Sequence, residues 1–148
     1  MKHKKPLALI LSFIMALTLS IPVMAQEGNI PDKIIILHTN DVHCGIDDNI
    51  GYAGLVSCKA QMEQVYGREN VTLVDAGDAI QGGAIGTLSD GAFPVDIMNQ
   101  AGYDIAVPGN HEFDYGMDNF LRLAEERAEY TYVCSNFIAV SYTHLRAH

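Results

Sequence analysis

The chain has 148 residues, with nine Lys and Arg against 18 Asp and Glu and a formal net charge of −9. That balance argues against a nucleic-acid polymer as partner, because gripping a phosphate backbone needs clustered cations. An acidic protein that handles an anionic substrate needs a cation to mediate the contact, and bound metal is the obvious candidate.

The first 25 residues read as a secretory signal peptide. Lys2, Lys4 and Lys5 form a basic start, Leu7 to Leu19 an apolar core, and Pro22 precedes the small-residue end Val23-Met24-Ala25. An uncleaved membrane anchor competes, since Leu7 to Ala25 is nearly long enough to span a bilayer, but the short core and the cleavage pattern favour removal after Ala25. The expectation is an exported protein, periplasmic, cell-surface or extracellular, with no stable membrane insertion after cleavage. The leader carries three of the nine basic residues and no acidic one, so residues 26–148 have a net charge of about −12. Those residues suffice for one modest core or part of a larger one. The three cysteines, Cys44, Cys58 and Cys134, are odd in number and widely spaced, which speaks against a disulfide framework or a structural zinc site. Cys58 and Cys134 are expected as small buried apolar residues. Cys44 lies beside His43 and reads as a bystander to any metal chemistry there.

Gln26 to Asp32 is a polar lead-in. Lys33 to Thr39 is a continuous β-branched run, expected as a strand buried on both faces. It ends in Asn40-Asp41-Val42-His43, and in an extended segment Asp41 and His43 point to the same side. Leu55, Cys58, Met62, Val65 and Tyr66 then fall at helical spacing, with Gly67 as a stop. Val71 to Val74 is a second strand running into Asp75-Ala76-Gly77-Asp78, so strand, helix and strand form a βαβ unit with parallel pairing. Gly82, Gly83 and Gly86 read as turn glycines; the stretch lacks the Lys of a phosphate-binding loop. Pro94 and Gly102 bracket a short helix. Tyr103 to Val107 is a third strand, Gly116 to about Tyr130 a helix with Glu125, Glu126 and Glu129 on its solvated face, and Thr131 to Cys134 a fourth strand. Residues 139–148 lack clear periodicity and read as an atypical tail.

Three successive strands therefore end in oxygen or nitrogen donors: Asp41 with His43, then Asp78, then Asn110 with His111 in Gly109-Asn110-His111-Glu112-Phe113-Asp114. In a parallel sheet those ends share one edge, which is where open α/β sheets keep their chemistry. Mixed Asp, His and Asn ligation suits Zn, Mn or Fe better than Ca or Mg. Asp78 could bridge two ions about 3.5–4 Å apart, the arrangement that activates water and neutralises a phosphoryl group. Asp75 reads as a strand-end cap rather than a ligand, and His38 as a hydrogen-bonded core residue. Taken singly each motif is an everyday polar loop; their combination in this order is far more specific.

That order resembles the calcineurin-like metallophosphoesterases. The fuller matches are Ile36-Leu37-His38-Thr39-Asn40-Asp41-Val42-His43, Leu73-Val74-Asp75-Ala76-Gly77-Asp78 with Gln81-Gly82, and Gly109 to Gly116. They are similar to the amino-terminal domain of secreted 5′-nucleotidases, a group that includes UDP-sugar hydrolases and 2′,3′-cyclic-nucleotide phosphodiesterases. The resemblance covers about residues 33 to 138 and implies a partial metallophosphoesterase domain over 26–138. It implies an α/β fold, with this length supplying mainly the parallel first sheet and flanking helices of a larger sandwich. It further implies two divalent ions, Zn, Mn or similar. Asp41 and His43 would hold one, Asp78 would bridge, and Asn110 would hold the second. His111 would be the catalytic histidine, facing the phosphoryl group, with Asp114 orienting it and favouring its charged form. The implied reaction is in-line attack by a metal-bound hydroxide on a nucleotide phosphoester. Glu112 fits no catalytic role and reads as a loop-stabilising hydrogen-bond acceptor; Phe113 reads as packing.

The family pattern also has two metal-binding histidines well downstream, the second in a Gly-His segment, and a separate carboxyl-terminal domain for the base. Here the later histidines are His144 and His148, without that context. The 148 residues are therefore expected to be inactive alone. The alternatives are a non-catalytic partial metal-binding domain, and a phosphoesterase of the same fold with a non-nucleotide substrate.

Overall fold

The computed structural model describes residues 33–137, so the expected leader, lead-in and tail, with His144 and His148, lie outside the described residues. Four parallel strands form one sheet in the order β1-β2-β3-β4: β1 is Ile35–Thr39, β2 Val71–Asp75, β3 Ile105–Ala106 and β4 Thr131–Tyr132. The register pairs Thr39 with Asp75, Asp75 with Ala106 and Ala106 with Tyr132, so the carboxyl ends of all four strands stand in one row. The short β3 and β4 are flanked by further sheet-like bonds. Asp104 N–H and Val107 N–H donate to Leu73 O and Asp75 O, and Val133 N–H donates to Ala106 O.

Helix α1, Gly51–Tyr66, links β1 to β2 and stops at Gly67, whose φ of 86° only glycine adopts freely. Helix α3, Ala92–Ala101, ends at Gly102 in the left-handed conformation, and Lys59 on α1 donates to the Gly102 carbonyl at 2.5 Å. Pro94 sits in the first turn of α3, where its missing N–H has no intrahelical partner to lose. The last helical stretch begins as α4, Met117–Arg122, and widens into a π-turn at Leu123–Arg127. Glu125 and Glu126 are exposed on it, as expected, but the helix stops at Arg127 rather than near Tyr130, so Glu129 is exposed just beyond it.

One face of the sheet packs on these helices. Leu73, Ile80, Val95, Met98, Ala106 and Leu123 are essentially solvent-free there, with Tyr52, Tyr103 and Tyr130 buried in the same cluster. Burying such side chains stabilises the fold by about 1.5–3 kcal/mol each. The opposite face corrects the expectation for β1. Ile36 is 64 % exposed and His38 is exposed beside it, so β1 is half-buried on one face and open on the other, and His38 is not a core residue. The cause is that among the described residues nothing covers the face carrying Ile36 and His38.

Two local expectations also change. The glycine-rich stretch after Asp78 contains a short helix α2, Ala84–Ser89, because only Gly82 makes a sharp turn (φ 136°). Gly86 lies inside α2, where a Cβ would stand 2.5 Å from the Cys44 sulfur, so it serves close packing. Of the cysteines, Cys44 is buried, Cys58 half-buried and Cys134 exposed, because Cys134 falls just beyond the short β4.

Candidate metal centre

Beyond the last strand residues, the β1 and β2 chains stay zipped together. Ala76 N–H donates to Thr39 O, then Asp41, His43 and Cys44 N–H donate to the carbonyls of Gly77, Asp78 and Ala79 at 3.0, 2.9 and 3.1 Å. Holding this register bends both chains. Asp41, His43 and Asp78 have φ of 51°, 48° and 59°, a region that costs non-glycine residues energy, of order 1–3 kcal/mol each when strained. The Asp41-to-His43 segment is thus a turn rather than an extended run, and the simple alternation expected from the spacing does not operate. Three expected ligands nonetheless sit in this uncommon conformation, a concentration typical of functional loops.

The β2 and β3 loops meet at two glycines. A Cβ on Gly77 would lie 2.6 Å from Gly109 N, and one on Gly109 would collide with the Asp78 carboxylate. The contact lets His111 N–H donate to Asp78 Oδ1 at 2.8 Å. The result is a cluster in which donor atoms of His43, Asp78 and His111 all lie within 4.8 Å of one another. The two imidazoles meet edge to face with centroids 5.0 Å apart.

Each ring is oriented through its Nδ1. His43 Nδ1 is 3.1 Å from the Gln81 carbonyl, which can only accept, so Nδ1 carries the proton and Nε2 keeps its lone pair for a ligand. His111 Nδ1 is 2.7 Å from Asp114 Oδ2. That bond raises the His111 pKa above its ordinary value, against a smaller opposing effect of desolvation, and so favours the charged ring. The lone-pair imidazole of His43 and the Asp78 carboxylate suit a borderline divalent ion, which His111 could join as a ligand only as a neutral ring.

Two buried carboxylates hold the loops. Asp75, 3 % exposed, accepts from Thr39 Oγ1 at 2.8 Å and Gly77 N–H at 2.9 Å, so it is the strand-end cap the sequence suggested. Burial pushes its pKa up to about 6, partly offset by those two bonds. Glu112, 1 % exposed, accepts from the backbone N–H groups of Asp78, Ala79 and Gly109 at 2.9, 2.8 and 2.6 Å. The loop-stabilising bond expected for Glu112 is present three times over. Phe113 packs edge to face on Phe120, centroids 5.0 Å apart.

Of the expected site residues, the fold brings together His43, Asp78, His111 and Asp114. Asp41 is exposed, accepts from Asn40 Nδ2 at 2.8 Å and stands outside the clustered donors. It lines a cleft of about 320 Å³ with Asp48, Asn49, Tyr52 and Tyr103, a cleft that none of the three clustered residues borders. Asn110 is exposed and begins the 3₁₀ turn His111–Phe113, accepting from Phe113 N–H through its carbonyl. Sequence reasoning missed Gln81, whose backbone carbonyl orients His43; a carbonyl leaves no sequence signal beyond the nearby Gln81-Gly82 turn.

Comparison with known proteins bears on this geometry. A family model described as calcineurin-like phosphoesterase matches residues 34–144. A 5′-nucleotidase of Homo sapiens is 31 % identical over 119 residues, covering 72 % of this chain and 21 % of that protein. A 5′-nucleotidase of Diplobatis ommata is 34 % identical over 101 residues, covering 62 % and 18 %. This chain thus spans about a fifth of the length of those relatives. Among solved structures, the NAD nucleotidase of Haemophilus influenzae superposes with a TM-score of 0.59 at 27 % identity, over 68 % of this chain and 20 % of that one. The parallel sheet, the strand-end donors and the match along most of its length place this chain in the calcineurin-like phosphoesterase family.

Proposed function

We propose that this chain is the amino-terminal part of an exported, dinuclear-metal phosphoesterase that hydrolyses nucleotide phosphoesters in the manner of a 5′-nucleotidase. The observation that carries the reading is the convergence of His43, Asp78 and His111 donors within 4.8 Å at the ends of three parallel strands. The 5′-nucleotidase relatives support the substrate class, and the leader in residues 1–25 supports export. Among the described residues no helix is long and apolar enough to cross a membrane.

His43 would hold one ion together with Asp41, Asp78 would lie between two, and Asn110 would serve the second. Bound divalent ions supply activated water and neutralise charge on the phosphoryl oxygens. His111, whose charged form Asp114 favours, donates a hydrogen bond from Nε2 to a phosphoryl or leaving-group oxygen, while its Nδ1–H donates to Asp114 Oδ2. A doubly protonated ring has no lone pair for a metal, so this role and ligation by His111 exclude each other.

The 148 residues alone are inactive in this reading. Among the described residues the third histidine, His38, is exposed and outside the cluster, so the donors present make half a dinuclear site. The test is phosphate release from AMP, 2′,3′-cyclic nucleotides and UDP-glucose with manganese or zinc, using the chain extended to its relatives' length. Release from none of them sinks the nucleotide assignment; release only from other phosphomonoesters replaces the substrate. Calorimetry on the 148-residue chain should detect at most one tightly bound ion, and two would overturn the half-site reading.

A further inference from the structure

Glu112 touches none of the atoms that face the cluster, yet its carboxylate stands where three loops join. The peptide groups of Asp78 and Ala79 are held from two sides. Their N–H groups donate to Glu112 Oε2 and Oε1, while their carbonyls accept from His43 and Cys44 N–H. The same Oε2 takes Gly109 N–H, and Asp78 returns the contact by accepting from His111 N–H. One buried carboxylate therefore spaces the β1, β2 and β3 loops through a single dipeptide. A buried carboxylate is tolerated only when its oxygens are satisfied, and three backbone donors do so here. They also supply the restraint that left-handed Asp78 needs.

We propose that Glu112 is a positioning residue that sets the distances among His43, Asp78 and His111, and hence metal affinity. The proposal rests on the cluster being the metal centre, but the clamp itself can be read without metal. Glu112→Gln keeps the shape and exchanges one acceptor oxygen for an NH₂ group. If the remaining oxygen serves Asp78 and Gly109, the NH₂ points at Ala79 N–H, donor against donor.

The decisive measurement is amide hydrogen exchange by NMR on the metal-free chain. In Glu112→Gln, loss of protection is expected at Asp78, Ala79 and Gly109. It is also expected at His43 and His111 N–H, neither of which donates to Glu112. Manganese affinity should fall about 10- to 100-fold, the range for residues that orient metal ligands, and Glu112→Asp should recover part of it. Leu123→Ala, in the buried core and with a side chain that makes no hydrogen bond to these loops, is the control for plain destabilisation and should leave manganese affinity unchanged. Unchanged protection at His43 and His111 in Glu112→Gln, or an equal affinity loss in Leu123→Ala, overturns the proposal. Should Glu112→Gln not fold, Glu112→Asp carries the same two readouts, and wild-type values for both would likewise overturn it. Coupled loss of protection in Glu112→Gln, together with a wild-type chain that binds no manganese, would keep the clamp and reject the metal-centre reading.

Discussion

The β2–β3 half of the strand-end row and the β1 half reach the same edge by different means. At β2–β3, backbone meets backbone through Gly77 and Gly109, Glu112 gathers three N–H groups, and Asp78 takes the His111 amide. At β1, His43 is held through its ring and its amide, whereas Asp41 is tied to Gly77 through its amide but leaves its carboxylate exposed, bonded to its neighbour Asn40. The first half is preorganised by buried polar contacts, which keep donors in place without a ligand. The second presents its carboxylate to solvent, toward a cleft with further polar groups. The difference assigns unequal weight to residues that look equivalent in sequence, and substitution can test that weighting.

The largest effect is expected at His111. In the chain extended to its relatives' length, His111→Asn should lower kcat by about 10²–10⁴-fold, the usual range for a positioned acid–base group. Manganese affinity of the same variant should stay unchanged. A parallel collapse of affinity would make His111 a ligand and remove it from the phosphoryl group. Asp78→Ala should do the opposite first: manganese affinity, by calorimetry, should fall more than about 100-fold, beyond what ligand-orienting residues cost. Its loss also frees His111 N–H. A small effect at Asp78 would contradict the preorganised half directly.

Much of this arrangement was legible because strand-forming runs are local. Lys33 to Thr39, Val71 to Val74 and Tyr103 to Val107 each combine β-branched or apolar residues with an abrupt polar end, and parallel pairing then aligns the ends. Gly67 and Gly102 marked helix stops through a backbone requirement that only glycine meets cheaply. Other features were invisible because they depend on partners far along the chain. The left-handed turns at Asp41, His43 and Asp78 carry no glycine, and they exist only because the loop amides follow the β2 register. Glu112 reads as a loop-stabilising acceptor, but its burial and its partners at Asp78 and Ala79, the latter 33 residues away, have no local signal. The open face of β1 escaped for a similar reason: β-branched composition favours a strand but does not say what covers it. The order of the row was written locally, and the geometry of the cluster was written in tertiary contacts.

Asp75 gives the next effect, and it separates the cap from the ligands. Its pKa of about 6 lies above the ordinary 3.8, so the folded state holds the proton more tightly than the unfolded one. A raised pKa contributes stability below about pH 3.8 that is lost as pH rises through about 6. The expected loss is about 3 kcal/mol, since each tenfold gain in proton affinity on folding is worth about 1.36 kcal/mol. Asp75→Asn titrates in neither state. Urea unfolding at pH 4 and pH 7 should therefore show wild type losing ground to the variant as pH rises. Any fixed cost from turning an amide toward Gly77 N–H is common to both pH values and drops out of the comparison. Parallel pH profiles would mean that Asp75 is charged and satisfied in the folded state.

The smallest effect belongs to Asp41, and it tests the β1 half most closely. Asn keeps the shape, accepts from Asn40 as Asp41 does, and tolerates a φ near 51° at least as well. Asp41→Asn should therefore leave stability within about 0.5 kcal/mol of wild type, as surface substitutions usually do. Only a charge is removed, so a change in metal binding reports on that charge alone. Because Asp41 stands outside the clustered donors, manganese affinity should fall by about tenfold or less, well short of the loss at Asp78. If Asp41→Asn weakens manganese as much as Asp78→Ala, the ion draws Asp41 inward when it binds. The β1 half would then be the part of the row that moves, with the clamped half the fixed surface it closes on.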